Sequence, residues 1–173
     1  MFGRIIRILH KSHTGWNDMK VAIGADHGGY ELKSDMVKLL ESLGHEVVDK
    51  GAHAYEAEDD FPDFAAPVAE AVQSQEAERG IVICGSGVGA AIAANKFSGV
   101  RAGLCHDTYS AGQGVRHDDM NVLCMGARVV GVALAEDLVK SFMAANLEAN
   151  EPRFIRRLDK VTAIENEQLS KGS

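Results

Sequence analysis

From residue 20 onward the chain alternates between short apolar runs and longer amphipathic segments. The apolar runs cover 20–24 (KVAIG), 45–49 (HEVVD), 80–84 (GIVIC), 100–105 (VRAGLC) and 121–125 (NVLCM), and each closes on Gly, Asp or His. Runs of this length without polar alternation predict strands buried on both faces of a parallel sheet. Between them, 30–43 places Leu32, Met36, Leu39, Leu40 and Leu43 on one helical stripe, with Gly44 as its C-terminal stop. Segment 64–72 repeats the stripe with Phe64, Val68 and Val72, and 90–96, 132–145 and 153–169 carry further helical patterns. Strand–helix alternation repeated in this way predicts an α/β domain with right-handed crossovers over residues 19–169. The charged tail helix over 153–169 is of the kind that packs on a neighbouring subunit.

Composition narrows the class. The chain has 173 residues, 46% of them hydrophobic, which is enough to bury one core and excludes a disordered chain. No stretch approaches the ~18 apolar residues of a membrane-spanning helix. A net charge of -7 weighs against a nucleic-acid surface. Three cysteines, an odd and sparse set, fit free thiols in a reducing cytoplasm. Residues 1–18 are basic and mildly apolar but lack the long apolar centre of a signal peptide. They read as a poorly ordered extension, with a weak transit peptide or an early start codon as alternatives, since Met19 opens a natural protein start. Glycine is the unusual count: 18 against 3 prolines, mostly in short clusters.

Parallel α/β sheets bind ligands at the carboxyl ends of their strands. The loops expected there are Ala25-Asp26-His27-Gly28-Gly29, Cys84-Gly85-Ser86-Gly87-Val88-Gly89, His106-Asp107 and Gly126-Ala127-Arg128. Three glycines in five residues between a strand and a helix suit either a tight turn or a backbone that approaches an anion. Gly85-x-Gly87-x-x-Ala90 with Asp107 about 20 residues on also meets a loose dinucleotide pattern, although the usual fingerprint opens the first βα unit. It is not a P-loop, because no Lys-Ser or Lys-Thr follows. Cys84 precedes this loop, where helix-end N–H groups favour a thiolate; the competing reading is a small buried hydrophobe. Cys105 and Cys124 lack such a loop and read as core. Asp26 is placed to orient the His27 imidazole. His117 reads equally well as a surface residue, His106-Asp107 as a weak metal pair, and Arg153 with Arg157 as a solvated helix face or a phosphate clamp.

Taken together, Asp26-His27-Gly28-Gly29, Asp60-Phe61-Pro62-Asp63, Cys84-Gly85-Ser86-Gly87-Val88-Gly89, Ala93-Ala94-Asn95-Lys96, Tyr109-Ser110-Ala111, the 117–123 segment HDDMNVL and the 126–131 segment GARVVG resemble the type B ribose-5-phosphate isomerases. That group sits beside the galactose- and allose-6-phosphate isomerases. The resemblance implies a Rossmann-like three-layer sandwich with a five-stranded parallel sheet. It implies an aldose–ketose isomerase without metal or cofactor, in a homodimer or homotetramer whose sites lie between subunits. It makes Cys84 the base that moves a proton between sugar carbons 1 and 2. Gly85, Ser86, Gly87, Val88 and Gly89 hold the enediolate, and His117 from the partner opens the sugar ring. Asp26 and Asp118 meet sugar oxygens, while His27, Arg128, Arg153 and Arg157 hold the phosphate. Two departures stand out: Asp118 where many members carry Asn, and Phe154 where the tail usually carries His. The substrate expected is D-ribose 5-phosphate. The alternatives are another sugar phosphate (a hexose 6-phosphate or a tetrulose phosphate), a non-catalytic sugar-phosphate sensor, and a nicotinamide-dependent oxidoreductase.

Overall fold

Five strands form where the five apolar runs predict them, and all pair in parallel. The structure, a computed structural model, describes residues 18–171, so the expectation for 1–18 lies, apart from Asp18, outside the described residues. In chain order the elements are β1 (Lys20–Ala25), α1 (Tyr30–Ser42), β2 (Glu46–Asp49), α2 (Pro62–Gln73), β3 (Arg79–Cys84), α3 (Val88–Ala94), β4 (Ala102–Leu104), α4 (Thr108–Asp118), β5 (Val122–Gly126), α5 (Val132–Ala144) and α6 (Pro152–Lys171). The sheet order is β2-β1-β3-β5-β4.

The period of two along each strand divides the core into two layers. Val21, Ile23, Ala25, Ile81, Ile83, Leu123 and Met125 pack with the apolar faces of α1, α4 and α5. The alternate residues Ala22, Val82, Cys84, Val122 and Cys124 pack with α2 and α3 on the other face. Both faces are covered, so the central strands carry no polar alternation, and the three-layer α/β sandwich is as expected. Among the described residues no helix is long and apolar enough to cross a membrane.

Two elements differ from expectation. Run 100–105 pairs only through Ala102–Leu104, because β4 is an edge strand with one neighbour. Helix α4 has no clear sequence stripe, since Gly112 and Gly114 interrupt it. Close packing requires those glycines: a Cβ on Gly112 would sit 2.7 Å from Ser141 Oγ of α5. The helix starts on Asp107, whose carboxylate accepts from Ser110 N at 2.7 Å. The backbone bond from Ser110 also holds the Asp107 carboxyl below its usual range. Helix α6 buries only Phe154 among its described residues, and Val161 and Ile164 stay 52% and 61% exposed. This chain therefore leaves the outer apolar positions of its tail helix uncovered.

The layers fix where a ligand can enter. Helix α1 leaves β1 over one face, and α3 leaves β3 over the other. Two adjacent strands whose connections depart in opposite directions leave a crevice at their carboxyl ends. Gly28 and Gly85 meet across it: a Cβ on Gly28 would lie 2.9 Å from Gly85 N.

Candidate active site

The β1 loop brings Asp26 and His27 to the crevice. Asp26 is buried and its Oδ1 accepts from Gly29 N at 3.2 Å. Burial pushes its carboxyl up, opposed by the His27 charge and by backbone N–H groups of Gly29 and Gly28. The imidazole of His27 is oriented by a residue that the sequence did not single out. Oδ1 of Asp59 lies 2.7 Å from His27 Nδ1 and also accepts from His27 N at 2.9 Å. Asp26 contributes only charge, so the expectation that Asp26 orients the ring is corrected to Asp59. That hydrogen bond is the main reason the His27 pKa is raised above 6.5; desolvation acts against it, and Arg128 also opposes protonation. Nothing in local spacing announces Asp59, which lies in a charged loop after β2. Lys33 Nζ of α1, buried, reaches both carboxylate oxygens of Asp49 (2.7 and 2.9 Å) and the Ala52 carbonyl (2.8 Å).

The raised value fixes a sign for pH dependence. The protonated His27 is favoured by the fold, so its contribution is complete below 6.5 and is lost as pH rises through the raised value. Asp59→Asn is expected to move the His27 midpoint down towards 6.5, read by NMR titration. The KM for a phosphorylated sugar should then begin to climb at lower pH than in the parent. An unmoved midpoint would rule out Asp59 as the controlling partner.

Cys84 ends β3, 4% exposed, with Sγ accepting from Gly87 N at 3.0 Å. Gly87 opens α3 at φ +79°, and a Cβ there would fall 2.5 Å from Leu104 Cδ1. Position 87 therefore tolerates no side chain, and the turn that aims its N–H at sulfur depends on that. Ser86 Oγ accepts from Val88 N at 3.3 Å, leaving the hydroxyl proton free to point outward. A Cβ on Gly89 would press on the Phe61 ring at 2.8 Å. The β5 loop closes on the same turn, with Ala127 N donating to Cys84 O (2.9 Å) and Arg128 N to Gly85 O (3.0 Å). A cleft of about 500 Å³ opens beside it, lined by His27, Gly28, Tyr55, Arg128 and Val130 among others. The other two thiols are packing residues: burial pushes Cys105 up to about 11 and Cys124 higher still.

Among the described residues no three His, Cys, Asp or Glu side chains gather closely enough to hold a metal ion. His106 accepts from Gly126 N through Nε2 at 3.1 Å, and Asp107 is the α4 cap. The weak metal-pair reading gives way to these two structural roles. The loose dinucleotide pattern loses its ribose-binding acid for the same reason.

The remaining candidates lie elsewhere. His117 and Asp118 end α4, next to the amino end of β5, whereas Cys84 pairs with Gly126 at its carboxyl end. The four residue steps of β5 between Val122 and Gly126 span roughly 13 Å of sheet. His117 stacks on Phe154 with ring centroids 3.9 Å apart, which places the start of α6, and hence Arg153, at this end. The Arg153 guanidinium lies 4.7 Å from the Phe154 centroid, and Arg157 follows one turn on, exposed. One chain thus holds the candidate residues in two separate groups. Asp26, His27, Gly85–Gly89, Cys84 and Arg128 occupy one edge of the sheet; His117, Asp118, Arg153 and Arg157 occupy the other. Phe154, the departure at the tail, replaces an imidazole with a plate for His117.

A parallel sheet with a switch-point crevice, a glycine turn on a thiol and a cleft into which His27 and Arg128 project defines an α/β protein with a small-ligand site at the carboxyl ends of its strands. The comparisons narrow this. Residues 21–161 match the Ribose/Galactose Isomerase family, and the chain belongs to it. It is 46% identical over 146 residues to ribose-5-phosphate isomerase B of Escherichia coli, covering 84% of this chain and 96% of that protein. It is 36% identical over 130 residues to D-erythrulose-4-phosphate isomerase of Pectobacterium atrosepticum, covering 75% and 86%. The structure of ribose-5-phosphate isomerase B from Mycoplasma genitalium with bound ribulose-5-phosphate superposes with a TM-score of 0.81 at 39% identity, covering 86% and 97%. The chain is accordingly an aldose–ketose isomerase by family, and the resemblance read from its motifs holds along nearly the whole described chain.

Proposed function

We propose that the protein interconverts D-ribose 5-phosphate and D-ribulose 5-phosphate through an enediolate, as one domain over 19–169 acting in a homodimer or homotetramer in the cytoplasm. The observation that carries the reading is the Cys84 thiol, seated against the Gly87 N–H and followed by Gly85, whose carbonyl accepts from the N–H of Arg128, a residue of the cleft. Cys84 takes the proton from carbon 2 of the open aldose and returns it to carbon 1. The charge that develops on the sugar oxygens meets the N–H groups of residues 85–89 and the Ser86 hydroxyl, held by the tight turn at Gly87. Asp26, largely buried, aligns sugar hydroxyls. His27 and Arg128 bind the phosphate, and this binding away from the reacting carbons orients them. The second half-site completes the reaction from a neighbouring copy: its His117 opens the furanose, its Asp118 lies beside the ring oxygens, and its Arg153 and Arg157 close on the phosphate.

A second reading rests on Asp118. An acid where many relatives carry a neutral amide alters which sugar oxygens are welcome, and a relative named for a four-carbon ketose phosphate is 36% identical. A substrate panel in the presence of EDTA separates the readings. Ketose formation is followed by proton NMR from ribose 5-phosphate, erythrose 4-phosphate, allose 6-phosphate and galactose 6-phosphate. The highest kcat/KM is expected for ribose 5-phosphate. A tetrose preference would transfer the assignment to the second reading, and binding without turnover of any of the four would make the protein a sensor. Calorimetric binding of NAD would revive the oxidoreductase alternative.

A further inference from the structure

His117 is gripped more tightly than its helix requires. Helix α4 is already fixed by its Asp107 cap and by the buried Ala111 and Val115. Three further groups close on the imidazole from three places. Gln113, one turn back on α4, sets its amide nitrogen 2.9 Å from Nδ1. Phe154, from the head of α6 and only 2% exposed, lies nearly parallel to the ring at 17°. Glu148, from the segment joining α5 to α6, brings Oε2 to 4.0 Å from Nε2. Glu148 is itself held, with its N–H donating to the Arg116 carbonyl at 2.9 Å and Oε1 3.7 Å from Arg116 Nε.

Each contact constrains a different freedom. The Phe154 plate fixes the plane of the ring. Within that plane a half-turn would exchange nitrogen for carbon at both positions, and only one of the two states gives the Gln113 amide an acceptor. With Nδ1 accepting from Gln113, a neutral imidazole carries its proton on Nε2, the nitrogen that faces Glu148. The ring thus offers one donor, in one direction, at the edge of the sheet opposite Cys84 and the glycine turn.

We propose that Gln113 and Phe154 are positioning residues for ring opening, which hold Nε2–H of His117 towards the cyclic aldose phosphate bound by a second copy. This rests on the reading above that His117 opens the furanose. Opening breaks the C1–O4 bond, forms the C1=O1 double bond and transfers one proton from O1 to O4. Nε2 gives its proton to O4 as that bond breaks and receives the O1 proton in exchange, so the imidazole ends as it began and no co-reactant is consumed. O1 and O4 are attached to the same carbon, so one fixed nitrogen serves both.

The chemistry supplies a control. In ribulose 5-phosphate the C5 oxygen is esterified, so the ketose cannot close a five-membered ring on C2. Exchange of its C1 hydrogen with solvent requires Cys84 and the glycine turn and bypasses ring opening altogether. Gln113→Leu, which keeps the side-chain volume and removes the amide, is expected to lower kcat/KM on ribose 5-phosphate by about tenfold or more, part of what a general acid–base contributes. C1 exchange of ribulose 5-phosphate in D₂O should stay within about twofold of the parent, because no step of it uses the imidazole. Phe154→His, which keeps a flat ring, should retain more ribose 5-phosphate turnover than Phe154→Ala. Equal loss of both activities in Gln113→Leu, or loss of neither, would overturn the proposal. If His117→Ala itself leaves ribose 5-phosphate turnover intact, the ring-opening reading of His117 falls first. If the parent neither converts ribulose 5-phosphate to ribose 5-phosphate nor exchanges its C1 hydrogen, the isomerase reading of this site falls with it.

Discussion

Cys84→Ala is expected to reduce kcat on an aldose phosphate by about 10³-fold or more, at the upper part of the range for loss of a general base at carbon. The fold should survive. Cys84 contributes one sulfur to a layer already lined by small residues such as Ala22, Ala90 and Ala94, so truncation opens little space. The identifiable cost is the Gly87 N–H, which loses its acceptor, a penalty of about 1–3 kcal/mol for a buried donor. That lowers the melting temperature by several degrees without unfolding the chain. Substrate affinity should change little, because His27, Arg128 and Asp26 stand on β1 and β5 loops that do not depend on the thiol. Two measurements check the assignment: isomerisation of ribose 5-phosphate, and solvent exchange at C1 of ribulose 5-phosphate. Both should vanish together in Cys84→Ala, since one base serves both. Near-normal exchange with lost isomerisation, or near-normal isomerisation, would move the base to another residue. Cys84→Ser separates roles further. Its hydroxyl still accepts from Gly87, so stability should return while turnover does not.

The strands and most helices are legible in the sequence because each is written in its own residues. The runs ending at Gly24, Cys84 and Met125 are continuous because a layer of helices covers both sides of the sheet. The site residues at strand ends are legible for a related reason, since parallel topology sends every strand's carboxyl end to one edge. Helix α4 is not, because Gly112 and Gly114 answer to Ser141 and Met120, contacts that exist only after folding. Asp59 is illegible in the same sense: its partner His27 is 32 residues away, and only the folded chain brings them together. Gln113 carried no signal without the helix that places it one turn before His117. The resemblance assigns His117 and Cys84 to one reaction, yet the chain holds them at opposite edges of its sheet. That separation follows from topology, because α4 must run back along the sheet before β5 can start in parallel.

Mixing two inactive variants should therefore restore activity. On the proposed roles, Cys84→Ala removes the base from one group of residues, and His117→Ala removes the ring-opening group from the other. On the proposed reading, each complete site of a two-fold dimer draws Cys84 from one copy and His117 from its partner. Random reassociation makes half of the dimers mixed, and each mixed dimer has one site with both substitutions and one with neither. About one quarter of all sites are then intact, so about one quarter of the parent activity on ribose 5-phosphate should appear from two nearly inactive proteins. The uncovered apolar positions suit such an assembly. Val88 and Ile92 stand exposed beside the glycine turn, and Val161 and Ile164 stand exposed on the helix that carries Arg153 and Arg157. Burying the second pair against the first edge of a neighbour would bring the arginines towards its cleft, where a substrate phosphate offsets the repulsion they would otherwise meet from His27 and Arg128. Arg157→Ala mixed with Cys84→Ala should behave in the same way, with the recovered fraction read at low substrate concentration, where phosphate binding limits the rate. Recovery that fails in a dimer verified as mixed by native mass spectrometry would mean that the two half-sites do not serve one reaction. Recovery when both substitutions are placed in the same chain and mixed with the double variant alone is impossible on this geometry, and observing it would expose a contaminating isomerase.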